Sequence, residues 1–168
     1  MSEKNTGDNL KEAHVFPTEH IHVAQTQALL NVLKGEDELG VVVRAHIYIE
    51  YQLDQFIWSA LLKPKELGHI NYSSRVRLAL ACGLRGDLKP RLNALGDLRN
   101  KFAHRIRTIL TDEDVSRFYE DSGTETEILG WGRIPYFTQM SPKDRFIHCI
   151  LGLWVTLITE RGQLKKRA

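Results

Sequence analysis

Cysteine is scarce in this chain: two residues in 168, Cys82 and Cys149, with no CxxC spacing. That argues against a disulfide framework and fits buried thiols in a reducing compartment. Long apolar runs are missing too. The longest, Cys149 to Ile158, is about half of the ~20 residues that a bilayer span requires. No membrane segment is therefore expected. The opening residues, MSEKNTGDNLKEAH, are polar and lack the apolar core of a secretion signal, so the expected location is cytoplasmic. There is no P-loop, no GxGxxG fingerprint and no zinc-ligand spacing. Glu19-His20-Ile21-His22 holds two histidines at i, i+2, which point to different faces of a helix. The expectation is no metal and no cofactor.

What remains is the composition of a soluble globular protein, 42% hydrophobic and 26% charged. The length suits one domain with a real core. The net charge of +2 is small, but its distribution is uneven. Between Arg75 and Arg107 nine basic residues face two acids, a local charge of +7. Such a surplus suits a polyanion such as nucleic acid, and equally a solvated face balanced elsewhere.

Taken in order, residues 1–17 read as a flexible segment. A first helix is predicted over 18–34, with Thr18 as N-cap and Gly35 past its end. A long helix over 37–62 is apolar on most sides and belongs at the centre of a bundle. His46, Glu50 and Asp54 interrupt its apolar surface. Three readings of the carboxylates stand open: a solvated stripe, partners that orient Arg99 across the bundle, or a catalytic pair. Ser73 or Ser74 is expected to cap a short helix ended by Gly83. Thr111 to Asp114 and Ser141 to Asp144 have the form of capping boxes. Between them, residues 121–140 read as a long connection with a small hairpin around Gly130 to Arg133. A final helix runs to about Gln163, and Lys165-Lys166-Arg167 begins a basic tail. The fold expected is all-α: a bundle of five or six helices over 18–164, with an irregular connection before the last helix and a tail over 165–168.

The stretch LKPRLNALGDLRNKFAHRIRTIL, residues 88–110, carries the chemistry. Leu92, Leu95, Leu98, Phe102 and Ile106 form one helical stripe, and Pro90 suits a first turn. Asn100 and His104, four apart, share a face. Arg99 lies about 100° round the helix from Asn100, and its long side chain can swing toward the same groove. A guanidinium, an amide and an imidazole together can bind a phosphate and move a proton. An ordinary solvated helix face is the competing reading.

Arg99-Asn100-Lys101-Phe102-Ala103-His104 resembles the R-(polar)-x3-H form of the R-x4–6-H motif of HEPN domains. The preceding Arg75-Val-Arg-Leu-Ala-Leu-Ala-Cys-Gly-Leu84 is similar to the same region of the mannitol-operon-repressor-like branch. The resemblance covers roughly residues 25–108. It implies a HEPN-like bundle and a metal-independent endoribonuclease acting in a toxin, defence or RNA-regulatory role. Arg99, Asn100 and His104 would be the catalytic set, with RNA held by Lys101, Arg105 and Arg107. His104 would move the proton of a ribose 2′-OH and Arg99 would neutralise charge on the phosphate. Where a toxin branch has a tyrosine two residues after the histidine, this chain has Ile106.

One histidine per chain supplies one proton-transfer group, and transesterification uses two. The resemblance implies a homodimer that apposes two motif helices, and Leu95 and Phe102 are expected to supply part of the contact. The alternative function is a non-catalytic transcriptional regulator of mannitol-repressor type, or an interaction module that docks a regulatory partner protein.

Overall fold

Asp37 opens the helix on which the others pack. Its carboxylate accepts the Gly40 N–H at 2.7 Å, so one free donor of the first turn is satisfied. The helix, α2 (Glu38–Ala60), absorbs the β-branched run Val41-Val42-Val43 without a break. A computed structural model describes residues 19–105, 108–121, 126–128, 132–133 and 136–167. The expected flexible segment 1–17 and the cap at Thr18 lie outside them.

Among the described residues six α-helices follow one another: α1 (Glu19–Lys34), α2, α3 (Tyr72–Ala81), α4 (Lys89–His104), α5 (Asp112–Ser116) and α6 (Pro142–Arg167). The fold is the all-α bundle expected. α2 touches α1, α3, α4 and α6, and α6 covers it most extensively. Its inward face carries Val41, Val42, Ile49, Leu53, Phe56 and Ile57, all sealed from solvent. α6 answers with Phe146, Ile150, Leu153, Trp154, Leu157 and Ile158. α6 runs past Gln163 and takes in the basic tail as far as Arg167.

The described residues of the connection before α6 carry order of their own. Three short antiparallel strands, β1 (Glu120–Asp121), β2 (Thr126–Ile128) and β3 (Gly132–Arg133), pair in the order β1-β2-β3. Ile128 stands opposite Gly132, so the hairpin expected near Gly130 joins β2 to β3. The capping box at Thr111 forms in full, and Ser141 caps α6 through its hydroxyl, which also donates to the Asp144 carboxylate at 2.7 Å. The Thr111 hydroxyl accepts the Asp114 N–H, and the Asp114 carboxylate accepts the Thr111 N–H. Ser141 accepts the Asp144 N–H at 3.1 Å.

α3 is capped differently from the expectation. Asn71, not Ser73 or Ser74, holds the N-cap; its side chain accepts the Ser74 N–H at 2.9 Å and the Ser73 hydroxyl at 3.0 Å. An Asx side chain caps as well as serine does, and it lets Tyr72 enter the helix. Gly83 ends α3 with φ of 99°, while Leu84 N–H reaches back to the Ala79 carbonyl.

α4 buries four of the five stripe positions read from its sequence, Leu92, Leu95, Leu98 and Phe102, and Ala94 beside them. Leu95 is 0% and Phe102 5% exposed, so the expected dimer contact through them is corrected. These side chains are spent on the core of their own chain. The helix stops at His104, with Arg105 extended, short of Ile106, which lies outside the described residues.

Candidate active-site cleft

Three helices converge on a cleft of about 670 Å³, large enough for a nucleotide. α2 contributes Val43, His46, Ile47 and Glu50; the start of α3 contributes Asn71, Tyr72 and Ser73; α4 contributes Asn93, Gly96, Asp97, Arg99 and Asn100. The floor is a stack that crosses all three helices. The His46 ring lies 4.3 Å from the Tyr72 ring. Tyr72 reaches over α4 to donate its hydroxyl to the Leu92 carbonyl at 2.9 Å. Gly96 leaves the room that Tyr72 occupies, because a Cβ there would meet the ring at 3.1 Å. Burial and the Glu50 charge push the Tyr72 phenol well above its ordinary value, so the ring serves as a neutral donor.

Arg99 and Asn100 come together as the helix spacing allowed. The Arg99 guanidinium donates to the Asn100 side-chain oxygen at 3.2 Å, and both side chains line the cleft and are exposed. Among the described residues Arg99 has no acidic partner within ion-pair distance, so its charge faces the cleft. His104 is exposed one turn past Asn100, outside the cleft lining. It makes no hydrogen bond or ion pair among the described residues.

Glu50 and Asp54 do share a cationic partner, but that partner is Arg75 rather than Arg99. The Arg75 Nε–H donates to Asp54 and an Nη1–H donates to Glu50, each at 2.7 Å, and the Ile70 carbonyl accepts from the same guanidinium. One planar fork thus locks α3 onto α2. Glu50 keeps a place in the cleft wall, 3.9 Å from His46 Nδ1.

The residues expected to hold RNA separate. Lys101 is committed to Asp114, with Nζ at 2.8 and 2.7 Å from its two carboxylate oxygens. Burial raises the Asp114 carboxyl, but Lys101 and the Thr111 bonds outweigh it and hold it below the usual range. Arg105 is exposed beyond the helix end, and Arg107 lies outside the described residues. Arg85 likewise pairs with Asp87. The +7 surplus of the sequence is therefore smaller at the surface, because acids from outside that stretch neutralise Arg75 and Lys101; Asp87, the partner of Arg85, is already counted within it.

His46 is the residue whose position the sequence leaves unread. It is 8% exposed, and neither ring nitrogen makes a hydrogen bond among the described residues. Neither is among the buried side-chain atoms sealed without a partner. Burial lowers its pKa, Glu50 opposes that, and the Arg99 and Arg75 charges lower it further. The lone signal in the sequence is a histidine one turn before Glu50 on an otherwise apolar helix.

Among the described residues no cluster of three His, Cys, Asp or Glu side chains is placed to hold a metal ion. No helix among them is long and apolar enough to cross a membrane. Compared with family models, curated proteins and solved structures, the chain matches none.

Proposed function

We propose that this chain is a metal-independent endoribonuclease of HEPN type, acting in a toxin, defence or RNA-regulatory role. The observation that carries the reading is the Arg99–Asn100 pair. An acid-free guanidinium and an amide share a nucleotide-sized cleft, and His104 stands one turn along the same helix. Arg99 would neutralise the charge that grows on the phosphate oxygens as the ribose 2′-OH attacks. His104 would exchange a proton with the reacting oxygens. The products are a 2′,3′-cyclic phosphate and a free 5′-OH. A homodimer belongs to the same proposal, by a contact other than Leu95 and Phe102.

The test is incubation of the purified protein with labelled single-stranded RNA in EDTA. Cleavage that disappears in Arg99→Ala and in His104→Ala supports the nuclease. Absence of cleavage across RNAs of varied sequence overturns it.

A second reading has one observation in its favour. Ile47, Tyr51 and Trp58 are each about half exposed or more, and they fall within about 40° on the outer face of α2. Such a stripe suits a protein partner, as in a transcriptional regulator or interaction module. In that case RNA is left intact and Trp58→Lys abolishes partner capture.

A further inference from the structure

We propose that His46 is a second catalytic residue of the cleft, the base that takes the ribose 2′-OH proton. This rests on the nuclease reading. It changes what that reading asks of the assembly, because one chain then carries both proton-transfer groups.

The placement of His46 in the cleft supports the role. His46 is a buried histidine that lines the same cleft as Arg99 and Asn100, without a hydrogen-bond partner among the described residues. A core histidine ordinarily satisfies both ring nitrogens, since an unmet polar atom in the interior is costly. Here neither nitrogen is hydrogen-bonded among the described residues, neither is sealed, and the residue lines the cleft. Nδ1 is 3.9 Å from Glu50, too far for a hydrogen bond but close enough for its charge to be felt. Nε2 is then the nitrogen left for substrate. Tyr72, packed between His46 and the backbone of α4, fixes the ring position.

The charged groups that act on His46 suit a base. Arg99 and Arg75 disfavour its protonated form, burial does the same, and Glu50 opposes them. The imidazole is therefore neutral at physiological pH. As the 2′ oxygen bonds to phosphorus, its proton passes to His46 Nε2. The bond from phosphorus to the 5′ oxygen breaks, and that oxygen takes a proton from His104 on the neighbouring turn of α4. Each histidine ends one proton different from where it began, and water restores both. No oxidant, reductant or second substrate enters.

The experiment compares wild type, His104→Ala, His46→Ala and His46→Gln on labelled single-stranded RNA, with thermal melts to show that each variant folds. Expected is a loss of kcat of about 10²-fold or more in both His46 variants, with KM little changed. If His104→Ala is inactive while His46→Gln keeps the wild-type kcat, His46 is not the base and the nuclease reading stands. If wild type cuts no RNA, both readings fall together. Glu50→Gln guards against variants that do not fold. Glu50 raises the His46 pKa, so removing its charge should move the acid limb of kcat/KM to lower pH. A limb that stays in place in a folded, active Glu50→Gln protein overturns the proposal.

Discussion

The Tyr72 ring and Gly96 occupy each other's space: a Cβ at position 96 would stand 3.1 Å from both Cδ1 and Cε1 of the ring. The ring has no slack, because its hydroxyl is tied to the Leu92 carbonyl and its other neighbour is His46. Gly96→Ala should gain about 1 kcal/mol of helix propensity. It should lose about 1–3 kcal/mol to overpacking. A net loss of about 1 kcal/mol is expected, read as a lower denaturant midpoint with unchanged slope. Gly96→Ala combined with Tyr72→Leu should not show the overpacking loss.

The Arg75 fork gives a second expectation. Arg75→Met leaves Glu50 and Asp54 together without their shared cation. A fully buried pair broken in this way costs about 3–5 kcal/mol, and these carboxylates are partly exposed, so about 2 kcal/mol is expected. Arg75→Lys should recover less than half, because one ammonium cannot reproduce the fork to both acids and the Ile70 carbonyl. Urea melts of the two variants against wild type check this.

The pH dependence of stability follows from His46. Its folded pKa lies below the ordinary 6.5, so below pH 6.5 the unfolded chain takes up a proton that the folded chain refuses. Stability should therefore fall as pH drops from 6.5 toward the lowered folded value, and level off once both states are protonated. His46→Gln should flatten that decline. Asp114 acts at more acid pH. Its folded pKa is depressed below 3.8, so its contribution is present above that pH and is lost as pH falls through the folded value. Melts across pH 3–7 separate the two.

Salt dependence distinguishes the two cations beside the motif. If RNA binds through phosphates, affinity falls with salt, and each lost phosphate contact reduces the slope by about 1. Arg105→Ala should reduce it. Lys101→Ala should leave the slope alone and instead cost about 1 kcal/mol of stability, because its ammonium is held by Asp114. Binding that is indifferent to salt would sink the polyanion reading.

What the sequence made legible was local. The box at Thr111 and the cap at Ser141 involve residues three apart, so spacing alone announces them. The α4 stripe showed which side chains turn inward, and Leu95 and Phe102 followed it rather than the expected dimer contact. Long-range pairing has no periodicity to read. Nothing in the chain order says that Glu50 and Asp54 meet Arg75, 25 and 21 residues away, rather than Arg99. The cleft floor needs His46, Tyr72 and Gly96 from three helices, and each looks ordinary alone. Asn71 shows the same limit on a smaller scale. Three polar residues near one helix start are all plausible caps, and backbone geometry chooses between them.

The cover that α6 gives α2 sets a timetable for biosynthesis. The apolar face at Val41, Ile49, Leu53 and Phe56 finds its main partner only in residues that the ribosome adds about a hundred positions later. Until then the nascent chain carries a sticky, half-roofed assembly that chaperones have reason to hold. A chain stopped before Pro142 is left in that condition permanently, and should melt without a cooperative transition.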